Sequence, residues 1–98
     1  MTFDLEAMKQ AVIDAIEDIK GFDITVMDVR KLTSLTNYMI VASATSTRQA
    51  KSIADNVREK LKEKGYEIRG LEGEKDGEWV LVDLDDIVVH IMVPATRA

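Results

Sequence analysis

The chain has 98 residues, 46% of them hydrophobic, enough for one domain with one modest core and not for two. It holds no cysteine and a single histidine, which excludes a disulfide framework and a thiolate metal site and leaves little for zinc. A net charge of −5 disfavours nonspecific attachment to phosphate backbones, so no direct specific nucleic-acid recognition is expected, and docking within a nucleic-acid machine would be on a basic protein component.

The opening residues, MTFDLEAMKQ, lack the basic start and long apolar run of a signal peptide, and no apolar stretch approaches the ~20 residues that cross a bilayer. The expectation is a cytoplasmic protein without membrane attachment. From about Phe3 to Lys20, the residues Leu5, Met8, Val12, Ile16 and Ile19 recur at spacings of three and four, predicting an amphipathic helix that Gly21 ends. Asp4 and Glu6 suit its positive end and Lys20 its negative end. Ile24 to Val29 reads as a strand, followed by a polar connector through Lys31, Thr33, Ser34 and Thr36. Tyr38 to Ala42 is an unbroken apolar run, which predicts a strand buried on both faces and central in its sheet. Ser46 and Gln49 have the spacing of a capping box for a second helix running to about Lys64, with Ala50, Ile53, Ala54, Val57 and Leu61 as its buried stripe and Gly65 as its stop. Tyr66 to Leu71 predicts a short strand, and Gly73 to Gly77 a turn.

Glu78 to Val93, EWVLVDLDDIVVHIMV, reads as a β-hairpin, because two runs rich in β-branched residues flank an Asp-rich break suited to a tight turn. With Leu84 and Asp85 as a two-residue loop, Asp83 faces Asp86, Val82 faces Ile87, Leu81 faces Val88, Val80 faces Val89 and Trp79 faces His90. Alternation then gives two unlike faces. Val80, Val82, Ile87, Val89 and Ile91 form an apolar face for helices to cover. Trp79, Leu81, Asp83, Asp86, Val88, His90 and Met92 form a mixed face, closer in composition to a recognition surface than to a core. Asp83 and Asp86, opposed on that face, repel each other and call for a cationic partner. The whole order predicts an α/β fold: a single domain, residues 1–98, with a mixed five-stranded sheet, two helices on one face and a frayed tail over 93–98.

Catalysis is the rival reading of the same hairpin. Asp83, Asp85 and Asp86 at a strand end could hold the magnesium of a metal-dependent nucleotidyl transferase, but no glycine-bearing phosphate cradle accompanies them, and the same residues suit a solvated turn. His90 could serve as a general acid or base, yet lacks partners in the sequence, so an interface role beside Trp79 is preferred. No catalytic residue, metal ligand or cofactor is assigned, and the chain is read as a non-enzyme. A structural module whose mixed face forms an isologous homodimer is the other alternative.

DITVMDVRKLTSLTNYMIVASATSTRQAKSIAD in the first half and EGEKDGEWVLVDLDDIVVHIM in the second, with Trp79, Asp83, Asp86 and His90 at their spacing and Thr45-Ser46-x-Arg48 opening the second helix, carry a resemblance. The chain resembles the ribosomal silencing factor family, also called RsfS or Iojap. The resemblance implies a nucleotidyltransferase-like fold without the catalytic equipment. It implies binding to the large ribosomal subunit through its protein numbered fourteen, a block on joining with the small subunit, and repression of translation under nutrient limitation. Carried over, the docking residues are Trp79, Leu81, Asp83, Asp86, His90 and Met92. The family pattern has glycine at the positions of Ala44 and Asp85 and aspartate at that of Asn37. Members usually continue past the position of Arg97 into a short helix rich in tyrosine, leucine and tryptophan, which this sequence lacks.

Overall fold

A computed structural model describes residues 5–32, 34, 36–73 and 75–94. Phe3 and Asp4 of the expected first helix, Thr33, Glu74 and the tail 95–98 lie outside the described residues. The elements are α1 (Leu5–Asp18), β1 (Phe22–Asp28), β2 (Tyr38–Ser43), α2 (Thr47–Glu63), β3 (Gly70–Glu72), β4 (Trp79–Asp83) and β5 (Ile87–Met92). The five strands form one sheet in the order β1-β2-β5-β4-β3, antiparallel throughout except for the parallel β2–β5 pair.

α2 starts as its sequence dictates. Ser46 is in an extended conformation and its side chain accepts from the Gln49 backbone N–H, while the Gln49 side-chain oxygen accepts from the backbone and hydroxyl of Thr45. The Gln49 amide nitrogen then reaches across to the Ile19 and Lys20 carbonyls, at 3.0 and 3.3 Å, so one side chain ties the start of α2 to the end of α1. Farther along, Asn56 donates to the Ala15 carbonyl at 2.8 Å. The α2 stripe Ala50, Ile53, Ala54, Val57 and Leu61 is buried as its spacing predicts. In α1 the stripe shifts toward its small residues: Met8, Ala11, Val12, Ala15 and Ile16 are buried, whereas Leu5 and Ile19 are only partly so. The helix stop also differs from the expectation in detail. Lys20, with φ 66°, takes the left-handed position, and Gly21 is required instead for close approach, since a Cβ there would stand 2.3 Å from the Ile16 side chain.

The core lies between the helices and one sheet face, with Ile40, Ala42, Val80, Val82, Ile87, Val89 and Ile91 meeting the buried stripes of α1 and α2. Three sequence expectations are corrected. β2 is interior but not central; β5 is the middle strand, and β2 leaves Met39 and Val41 half-exposed on the other face. β3 is limited to Gly70–Glu72, so residues 66–69 are not strand. The hairpin loop is longer than two residues. Asp83 pairs with Val88, Val82 with Val89, Leu81 with His90, Val80 with Ile91 and Trp79 with Met92.

The longer loop has a physical cause. Leu84, expected at a solvated turn, is 2% exposed and plugs the end of the core, while its N–H donates to the Ile87 carbonyl at 2.9 Å. Asp85 takes φ 71°, which aspartate tolerates. The Asp86 carbonyl accepts from both Asn37 and Tyr38, at 2.9 and 3.2 Å, locking the turn to the start of β2. The pairing is displaced by two positions along the strand, so the side chains keep the faces that alternation assigns them.

Gln49→Ala removes the two side-chain hydrogen bonds that join the helix ends and the two that its side-chain oxygen accepts from Thr45. It is expected to lower stability by about 1–2 kcal/mol, seen as a lower urea midpoint with an unchanged slope.

The open sheet face as candidate docking site

Strand alternation puts Met39 and Val41 of β2, Val88, His90 and Met92 of β5, and Trp79, Leu81 and Asp83 of β4 on the face turned away from the helices. The registers of β1 and β3 add Met27 at one side and Glu72 at the other. Most of these side chains are half-buried by one another rather than by a covering layer, and Trp79 remains 50% exposed. Three of the chain's five methionines stand here, a flexible and polarisable surface of the kind used in binding. Sequence reasoning missed the share of β2 and β1 in this face. Both sides of YMIVAS are apolar, so periodicity could not separate them, and only the methionines at 27, 39 and 92 offered a signal.

Trp79 and His90 form the centre of the face. They are diagonal rather than directly opposed, because Leu81 is the residue paired with His90. That diagonal lets the Trp79 Nε1–H donate to His90 Nδ1 at 2.9 Å, with ring centroids 5.7 Å apart. His90 is 8% exposed, so its contribution to any contact runs through Trp79 and not through an imidazole standing in solvent. Burial pushes its pKa below the ordinary 6.5.

The carboxylates occupy one end of the face and are spread by the loop. Asp83 lies on the mixed face, its Oδ1 accepting from the Asp85 backbone N–H at 2.8 Å. Asp85 is exposed and forms a loose ion pair with Arg69 at 3.7 Å. Asp86 is in the turn and not opposite Asp83; its Oδ1 accepts from the Asn37 amide at 2.9 Å. The expected repulsion of two directly opposed aspartates is therefore absent. Each of the three carboxylates is committed to a different neighbour, and among the described residues no group of three or more His, Cys, Asp or Glu is placed to hold a metal ion. No helix among the described residues is long and apolar enough to cross a membrane.

Fold and site together define a two-layer α/β domain with helices backing one side of the sheet and an apolar, tryptophan-centred face on the other. A family model described as ribosomal silencing factor during starvation matches residues 2–98, and the chain belongs to that family. It is 52% identical over 94 residues to the ribosomal silencing factor RsfS of Chromobacterium violaceum, covering 96% of this chain and 77% of that protein. A crystal structure of a protein from Chromobacterium violaceum superposes with a TM-score of 0.95 at 52% identity, covering 97% of this chain and 79% of the other. Similarity extends at 31% identity over 98 residues to a Mus musculus protein named for mitochondrial assembly of the ribosomal large subunit, covering 97% of this chain and 41% of that one.

Exposure separates the two sides of β4 energetically. Trp79→Ala should melt within a few degrees of the wild type, whereas Val82→Asp, which places a charge at a position with 0% exposure, should abolish the cooperative thermal transition. Equal loss in both variants would show that the tryptophan is part of the core.

Proposed function

We propose that the chain docks through its open sheet face on a basic protein of the large ribosomal subunit and thereby excludes the small subunit, repressing translation in the cytoplasm when nutrients are scarce. Family membership supports the ribosomal setting, and the name of the mouse relative supports the large subunit. The observation that carries the reading is Trp79: a half-exposed tryptophan amid methionines and aliphatics, with carboxylates at one end, is the layout of an interface with an apolar centre and a charged rim. The protein numbered fourteen is the partner that the family resemblance implies.

In this reading Trp79, Leu81 and Met92 supply affinity by burying apolar surface, and His90 supports Trp79. Asp83, and Asp86 beside it in the turn, face lysine or arginine at the rim. No bond is made or broken; inhibition is steric. A second copy of the chain covering the same apolar face is the form we propose for the free protein, because an isologous pair would shield Trp79 until a subunit is available. Sedimentation velocity distinguishes this from a monomer, with Trp79→Ala expected to shift the balance toward single chains.

Purified large subunits should carry the wild-type chain with them on a sucrose gradient and should then fail to join small subunits. Trp79→Ala should weaken that association by about 2 kcal/mol or more, roughly thirtyfold. Raising ionic strength should slow association more than it speeds dissociation, since the rim charges act mainly on encounter. Co-sedimentation unaffected by Trp79→Ala would remove the open face as the docking site.

A further inference from the structure

The only tryptophan of the chain is held by its only histidine. Indole Nε1 can donate but not accept, so the His90 Nδ1 that receives its hydrogen bond carries a lone pair. The neutral ring must therefore carry its proton on Nε2. That atom is fully enclosed and has no hydrogen-bond partner among the described residues. A buried donor left without an acceptor is uncommon, and here it accompanies a tautomer selected by Trp79.

We propose that His90 is a positioning residue that fixes the Trp79 indole at the surface of the open face, and that proton uptake by His90 breaks this hold and weakens docking. The geometry makes the two states exclusive. In the imidazolium both nitrogens are donors, so Nδ1–H would confront the indole N–H across the 2.9 Å now spanned by one hydrogen bond. The proton can stay only if the indole moves. The docking half of this proposal rests on the function proposed above, while the Trp79–His90 half does not.

The charged groups around His90 leave burial in control. On β4 the nearest ionisable side chain of the same face is Asp83, already engaged by the Asp85 N–H; on β3 it is Glu72, one strand farther away. On β2 the residues of this face are Met39, Val41 and Ser43, none of them ionisable at neutral pH. α2 packs against the other face through Ile53, Val57 and Leu61. Burial alone depresses the imidazole below 6.5, and no carboxylate raises it back. The sign follows. At pH above 6.5 His90 is neutral folded or unfolded; as pH falls below 6.5 the unfolded chain takes the proton first, so the folded state loses stability until the folded ring is itself protonated.

Because Trp79 is the sole tryptophan, the emission of the full-length chain reports the indole directly. Fluorescence and the ring-nitrogen NMR signals of ¹⁵N-histidine-labelled protein would be followed from about pH 8 to about pH 5. His90→Asn, whose Oδ1 can accept from the indole but does not titrate, and His90→Leu, which can do neither, would be measured beside it. The wild type should show the Nε2–H tautomer and an emission transition with its midpoint below 6.5. His90→Asn should lack the transition and dock with an affinity indifferent to pH and about tenfold tighter than that of His90→Leu. Wild-type docking should fall by about tenfold across the transition. An Nδ1–H tautomer, or the same emission transition in His90→Asn, overturns the positioning role. A normal transition with docking indifferent to it overturns the link between indole and docking. Failure of the wild type to dock at about pH 7.5 overturns the docking reading itself and leaves the tautomer and emission results standing.

Discussion

The alternation of side chains along β5, held in register on both flanks, is the constraint on which the rest of this protein depends. Val89 and Ile91 point into the core and Val88, His90 and Met92 point away from it, so one strand contributes to both the core and the open face. A slip of one residue would exchange the two sets and bury His90 under the helices. The register is pinned where β5 begins. Leu84 fills the end of the core, its N–H bonds the Ile87 carbonyl, and the Asp86 carbonyl holds the start of β2 through two backbone N–H groups. The acidic turn that invites a catalytic reading is thus first a structural clamp.

Much of this was legible in the residues because the helix signals and the strand alternation are local. The five buried residues of α2 and its Ser46 cap follow directly from spacing and hydrogen-bond chemistry. The hairpin faces were legible too, since a register error of two positions leaves every side chain on its proper side. What could not be read was long-range. Nothing within the hairpin says that Leu84 will be buried, because the core end it plugs is built by other elements. Nothing within YMIVAS says which apolar side will be covered, because that depends on where α1 and α2 settle. The tie from Gln49 to the carbonyls of Ile19 and Lys20 spans 30 and 29 positions, beyond what a capping pattern can reveal.

The departures from the family pattern have readable consequences in the same turn. Asp85, where glycine is expected, adopts φ 71°, the conformation glycine takes without strain, and its exposed carboxylate leans toward Arg69. Asn37, where aspartate is expected, donates its amide to Asp86, a bond a carboxylate at 37 could not make. Both residues take part in the clamp of this turn. They also keep the turn carboxylates occupied locally, which leaves Trp79 and its apolar neighbours as the larger part of the open face and the acids at its margin.

The central claim is that the sheet face, and not the helical face, meets the large subunit, and site-directed photo-crosslinking tests it most directly. A benzophenone amino acid would replace Glu72, exposed at the rim of the open face, or Asp55, exposed on α2. With purified large subunits the chain carrying the probe at 72 should crosslink to a basic subunit protein and the one carrying it at 55 should not. Crosslinks from position 55 with none from position 72 would place the partner on the helices and contradict this account.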